Sequence, residues 1–203
     1  MVKLIKVIAF DFGGVTTGEH WGDRIYKKIS AFLGVPAEKI KELRNKYNEE
    51  LKRGKMKETI LFQEFLNESS KIVSLKEFEN FYYGLFTVNK MVLNLIKKLK
   101  KNYKIIALSN VYKKSGEFQV KKFKLQKLFD GIILSGFVGF AKPDKEIYEL
   151  LIKKAKTQPN EILFIDNAEK RLIPAQKFGI NTILFQSVGQ LKVDLKKFGV
   201  EVK

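Results

Sequence analysis

Val7-Ile8-Ala9-Phe10-Asp11-Phe12-Gly13-Gly14-Val15 is the stretch whose reading decides the fold. Its first four residues are apolar without alternation, the pattern of a strand covered on both faces. The run then stops on a carboxylate, and two glycines follow. Burying an isolated charge is costly, so folding alone gives no reason for Asp11 at the end of a buried strand. In open parallel sheets the carboxyl ends of the strands form the ligand crevice. Asp11 is therefore read as a carboxylate held for chemistry, as nucleophile or as metal ligand. Gly13 offers no side chain, so a second acid for proton transfer cannot come from two residues on.

Working outward, continuously apolar β-rich runs recur at Leu4–Phe10, Ile105–Leu108, Gly131–Leu134, Ile162–Ile165 and Asn181–Phe185. Amphipathic stretches separate the later ones. Asp144–Lys156 places Ile147, Leu150, Leu151 and Ala155 at helical spacing. Leu172–Phe178 reads similarly, with Gly179 as its stop. Alternation of this kind predicts an α/β fold, a doubly wound parallel sheet of Rossmann-like type. Residues from about Gly18 to Thr87 break the alternation and read as a run of helices. Pro36 marks a first helical turn, Gly54 divides two periodic stretches, and Ser74-Leu75-Lys76-Glu77 forms a capping-box start. The expected organisation is a core domain of residues 1–17 and 88–203 with a helical cap domain of residues 18–87 inserted over the crevice. The tail from Val188 fits either a short helix or an edge strand.

Composition removes several classes of function. The chain of 203 residues has no cysteine and a single histidine, His20. That excludes disulfides and thiolate catalysis, and it argues against a histidine zinc site or a Ser-His-Asp triad. The net charge of +17 favours anions, yet the basic residues are nearly all lysine. Arg24, Arg44, Arg53 and Arg171 are the only arginines, and no nucleic-acid motif accompanies them, so no nucleic-acid partner is expected. No stretch approaches membrane-spanning length and no signal sequence precedes Asp11. The expected setting is soluble and cytoplasmic, away from membranes.

The remaining polar clusters each follow a predicted strand. Leu108-Ser109-Asn110 puts a hydroxyl and an amide at a strand-to-helix turn, where a phosphoryl oxygen can bind; the pair also suits an ordinary turn. Lys142-Pro143-Asp144 opens the helix carrying Ile147 and Tyr148. Proline restricts Lys142 to extended geometry, Asp144 suits an N-cap, and the ammonium is aimed at the crevice. Phe164-Ile165-Asp166-Asn167 repeats the acid at a buried strand end. Asp11 and Asp166 could share a hard divalent cation, and Asp166-Asn167 could equally cap the helix beginning near Glu169.

Taken in order, Asp-x-x-Gly-Val, Leu-Ser-Asn, Lys-Pro-Asp with a tyrosine five residues after the proline, Ile-Asp-Asn and Phe-Gly-Ile resemble the haloacid dehalogenase-like (HAD) superfamily over nearly the whole chain. The helical insertion after the first motif resembles its helical-cap branch. The resemblance implies that Asp11 is a nucleophile forming a covalent aspartyl intermediate and that Lys142 neutralises charge. Ser109 and Asn110 would bind the phosphoryl group. Asp11, Asp166, Asn167 and the carbonyl of Gly13 would hold Mg²⁺. The implied activity is a Mg²⁺-dependent phosphatase acting on a small phosphorylated metabolite, with positioning and charge stabilisation doing most of the work.

Two positions depart from the commoner family pattern. Gly13 stands where most such phosphatases have a second Asp as general acid and base, a contribution of ~10²–10⁴-fold. Asn167 stands where many have a metal-binding Asp, and an amide brings no charge. Two other readings therefore stay open: a 2-haloacid dehalogenase using Asp11 on carbon, and a scaffold that binds a phosphorylated ligand without turnover. His20 is read as a hinge residue beside Trp21, with replacement of the missing acid as the alternative. The oligomeric state and the substrate are not encoded in any motif.

Overall fold

The computed structural model describes residues 4–18 and 21–202. All five predicted strands form, as β1 (Val7–Phe10), β2 (Lys104–Ser109), β3 (Gly131–Leu134), β4 (Ile162–Asp166) and β5 (Asn181–Leu184). They make one parallel sheet in the order β3-β2-β1-β4-β5. Helices α1 (Asp23–Leu33), α2 (Ala37–Lys52), α3 (Glu58–Asn67) and α4 (Leu75–Gly84) follow β1, and α5 (Lys90–Leu99) leads into β2. The rest alternate with strands: α6 (Lys113–Lys122), the single turn α7 (Ser135–Val138), α8 (Lys145–Ala155), α9 (Glu169–Lys177) and α10 (Val188–Lys197). The tail is thus a helix, started by the Ser187 hydroxyl accepting from the Gln190 N–H at 3.1 Å.

The lack of apolar/polar alternation in β1 has a direct cause. Ile8 and Phe10 point into a cluster with Leu95, Ile96, Leu99 and Leu191 on one face. Val7 and Ala9 point into another, with Ile147, Tyr148, Leu151 and Leu172. Every position of β1 is therefore buried, as the doubly wound arrangement requires. The strand order also turns at β1. The chain crosses from β1 to β2 and β3 on one side and returns to β4 and β5 on the other. The ends of β1 and β4 flank that reversal, the place where such sheets bind ligands.

The four helices after β1 pack about a third cluster that includes Ile29, Leu33, Phe62, Phe65, Phe78 and Tyr82, and Tyr112 from beyond β2 joins it. The capping box at α4 forms as expected: the Ser74 hydroxyl accepts from the Glu77 N–H at 3.2 Å and the Glu77 carboxylate from the Ser74 N–H at 2.8 Å. Pro36 falls one residue earlier than predicted, as the residue flanking α2. Gly54, between α2 and α3, has φ +67°, and a Cβ there would lie 2.0 Å from the Gly136 carbonyl oxygen. Only glycine lets the helical segment come down onto α7 at that point. The segment leaves and rejoins the sheet at one place, where the Gly18 N–H donates to the Thr87 carbonyl at 3.0 Å and Thr17 bridges to Val88.

Candidate active site

Asp11 directly continues β1, its N–H donating to the Ile165 carbonyl at 2.9 Å. The turn that follows is tight. The Thr16 hydroxyl returns to the Asp11 carbonyl at 2.9 Å, and the Gly14 N–H donates to the Thr17 carbonyl at 2.9 Å. Gly14 takes the left-handed conformation at φ +81°, and a Cβ there would meet the Asn167 amide nitrogen at 2.2 Å. The two turns after β1 and β4 can approach this closely only because Gly14 has no side chain. Their neighbouring acids are both buried, Asp11 at 2% and Asp166 at 0% exposure.

Lys142 neutralises them from the loop before α8. Its Nζ lies 2.9 Å from Asp11 Oδ1, 2.6 Å from Asp166 Oδ2 and 2.9 Å from the Leu108 carbonyl. An ammonium has three donors, so this one is fully committed. The Lys142 backbone is fixed by Asn110, whose Oδ1 accepts from the Lys142 N–H and whose Nδ2 donates to the Lys142 carbonyl, both at 2.8 Å. The Lys142–Pro143 peptide is cis. Asn110 thus has a structural task that its place in a turn did not reveal, while one N–H of its amide stays uncommitted. Asp144 does not cap α8 with its side chain as predicted. Its carboxylate accepts instead from the Ala141 N–H at 2.9 Å and from Arg53 of the helical segment at 2.9 and 3.2 Å.

Arg171 was missed in the sequence, and it stands at the centre. Its Nη1 lies 3.2 Å from Asp11 Oδ2 and 3.3 Å from Asp166 Oδ1, held from α9, where the Tyr148 hydroxyl donates to the Arg171 carbonyl at 2.6 Å. Its rarity among 39 basic residues was the available signal. Burial pushes the Asp11 carboxyl up, but Lys142 and Arg171 outweigh it and hold the group below its usual range. Asp11 is accordingly ionised at neutral pH, as a carboxylate nucleophile must be. Ser109 is buried beside Asp11, and its hydroxyl also helps to hold the Asp11 carboxyl low.

These groups open on a cavity of about 530 Å³. Asp11, Asn110, Lys142 and Arg171 line its floor, and Trp21, Arg44, Asn48 and Tyr82 of the helical segment line its roof. Gly13 and Asn167 border it, with Asn167 exposed. His20 lies outside the described residues, so its two readings stand as they were. Behind Ser115 of the cavity wall, the buried Glu58 of α3 accepts from the Ser115 N–H at 2.7 Å and from the Ser115 hydroxyl, which satisfies an otherwise unpaired N–H in the first turn of α6. Burial pushes Glu58 up to about 7, against the opposing pull of the Ser115 and Lys114 donors.

No group of three or more His, Cys, Asp or Glu gathers around a metal position among the described residues. The oxygen donors at the crevice are two carboxylates, the Gly13 carbonyl and the Asn167 amide. They are hard ligands of the kind Mg²⁺ takes with water and substrate oxygens completing its shell. The donor set fits such an ion in kind, with the Arg171 guanidinium lying across two of the same oxygens. No helix among the described residues is long and apolar enough to cross a membrane.

Residues 5–179 match the family model described as haloacid dehalogenase-like hydrolase. D-ribitol-5-phosphate phosphatase of Bacteroides thetaiotaomicron is 28% identical over an alignment of 191 positions that covers 88% of this chain and 91% of that protein. A HAD family enzyme of the same bacterium, solved with magnesium and inorganic phosphate, superposes with a TM-score of 0.73 at 22% identity over 92% of this chain and 98% of that one. A dehalogenase structure reaches 0.69 at 21% identity over 93% and 88%. At these identities the two structures attest the fold.

Proposed function

The chain belongs to the haloacid dehalogenase-like hydrolases, and on that premise we propose that it is a Mg²⁺-dependent phosphatase working through an aspartyl-phosphate on Asp11. One observation carries the reading. The buried Asp11 carboxylate is kept ionised between Lys142 and Arg171, with the buried Ser109 hydroxyl beside it, and it faces a polar cavity. An ionised carboxylate flanked by two cations and a hydroxyl suits attack on an anionic phosphoryl group better than attack on neutral carbon.

In the reaction an Asp11 oxygen forms a bond to phosphorus as the ester bond to the leaving oxygen breaks. Water then attacks the phosphorus and releases Asp11 and inorganic phosphate. Lys142 stays bound to Asp11 and offsets the repulsion between its carboxylate and the incoming phosphoryl anion, then stabilises the carboxylate as it is released. The Ser109 hydroxyl and the uncommitted Asn110 N–H receive phosphoryl oxygens. Asp11, Asp166, the Gly13 carbonyl and Asn167 would hold Mg²⁺, which supplies further neutralisation of phosphoryl charge. Gly13 gives the leaving oxygen no proton, so esters with good leaving groups should turn over best.

Residues 18–87 act as the cap and residues 1–17 with 88–203 as the core. The roof offers an indole ring, an amide and a phenol, walls suited to a small hydroxylated molecule. The relative's named substrate makes pentitol and sugar phosphates the first to try. The test is a panel of phosphorylated metabolites and 2-haloacids, each with and without Mg²⁺. Phosphate release that chelation abolishes is expected. Halide release, or phosphate release undiminished by chelator, would move the chain to the dehalogenase reading. Phosphate binding without any turnover would leave it a scaffold.

A further inference from the structure

All four oxygens of Asp11 and Asp166 already face protein donors. Lys142 takes Asp11 Oδ1 and Asp166 Oδ2, and Arg171 Nη1 spans Asp11 Oδ2 and Asp166 Oδ1. Two carboxylates against two cations leave the cluster formally neutral, with no charge deficit for a divalent ion to fill. The two cations are held differently. Lys142 has 0% side-chain exposure and all its donors engaged, whereas Arg171 is 27% exposed at the cavity wall and its contacts are the longer ones. A guanidinium carries five N–H donors, and only Nη1 is tied to the acids.

We infer that Arg171 is a tethered, exchangeable cation: a divalent ion reaches Asp11 and Asp166 only by displacing it, and the displaced guanidinium receives the phosphoryl oxygens in the cavity. The inference rests on the phosphatase reading. It adds that metal and phosphate are linked through this one side chain. A metal ion that enters frees the guanidinium for the anion, and an anion that captures the guanidinium uncovers Asp11 Oδ2 and leaves Asp166 Oδ1 with the Ala168 N–H alone, at 2.9 Å. By reciprocity each ligand raises the other's affinity by the same factor.

Binding decides the matter without catalysis. The melting temperature of the full chain is followed against Mg²⁺ concentration, with and without saturating inorganic phosphate, for wild type and Arg171→Ala. Losing charge-assisted hydrogen bonds to two carboxylates should let Arg171→Ala bind Mg²⁺ alone on the order of tenfold more tightly. The gain that phosphate brings to Mg²⁺ affinity should shrink by a similar factor. Arg171→Gln, which keeps the bulk and drops the charge, should behave alike and serves if the alanine variant does not fold. Mg²⁺ affinity unchanged or weaker in both variants overturns the inference and leaves the phosphatase reading standing. Absence of Mg²⁺ and phosphate binding in wild type and variants alike overturns both.

Discussion

Replacing Glu58 by glutamine should change how the stability of this protein depends on pH. The carboxyl is 4% exposed, and burial raises it from an ordinary 4.5 to about 7. Below pH 4.5 it is protonated in both folded and unfolded chains and adds no pH dependence. Between 4.5 and 7 the unfolded chain has lost the proton and the folded one keeps it, so each pH unit lowers stability by about 1.4 kcal/mol. Above 7 both are ionised and the loss is complete. The 2.5 units between 4.5 and 7 correspond to about 3 kcal/mol. Glutamine is isosteric and can serve Ser115 fully, with Oε1 accepting from its N–H and Nε2 donating to its Oγ. The advantage of Glu58→Gln over wild type should therefore grow by that amount from pH 4.5 to 8. In a chain of this size it appears as roughly 6–12 °C in melting temperature. Thermal melts of both proteins at half-unit pH steps give the difference curve directly. A flat curve, or one that turns at the ordinary carboxylate value, would refute the assignment of a neutral Glu58 across the contact between α3 and α6.

Asp11→Asn should lower phosphate release by roughly 10⁴-fold or more while circular dichroism stays native; retained turnover would remove Asp11 from the chemistry. Gly13→Asp should raise turnover of an alkyl phosphate by ~10-fold or more, and less for an aryl phosphate whose leaving group needs little protonation. A folded variant with no gain on either ester would favour the scaffold reading. Asn167→Asp adds a charge to the oxygen donors, so half-maximal activity should come at several-fold lower Mg²⁺; an unchanged Mg²⁺ profile would place residue 167 outside the metal's reach.

The five strands were legible because burial on both faces suppresses polar alternation, and Ile8 against Val7 shows why: each meets a separate apolar layer. Asp11 and Asp166 were legible because acids at buried strand ends have no packing reason to be there, and Lys142 because Pro143 fixes it ahead of a helix; the structure brings the three within hydrogen-bond reach. What stayed hidden are pairings that no period carries. Glu58 and Ser115 are separated by 57 residues and Arg53 and Asp144 by 91, so each looks locally like a solvated charge. Asp144 looked like an N-cap because its position is right, yet a distant arginine takes the carboxylate. Arg171 meets Asp166 only because a helix turn intervenes between them, and its reach to Asp11 depends on the strand order.

The point where the helical segment departs and returns has a consequence for protein construction. Gly18 and Thr87 are joined by one hydrogen bond, with the Thr17–Val88 bridge beside it. Whatever is spliced between them therefore enters and exits through a single socket, and its length places no tension on the sheet. Loop closure at fixed ends changes only slowly with the number of residues enclosed. The same geometry leaves the helical segment open to exchange by recombination, with β1 and Asp11 carried forward, for any replacement that also meets Asp144 and Ser115 as Arg53 and Glu58 do.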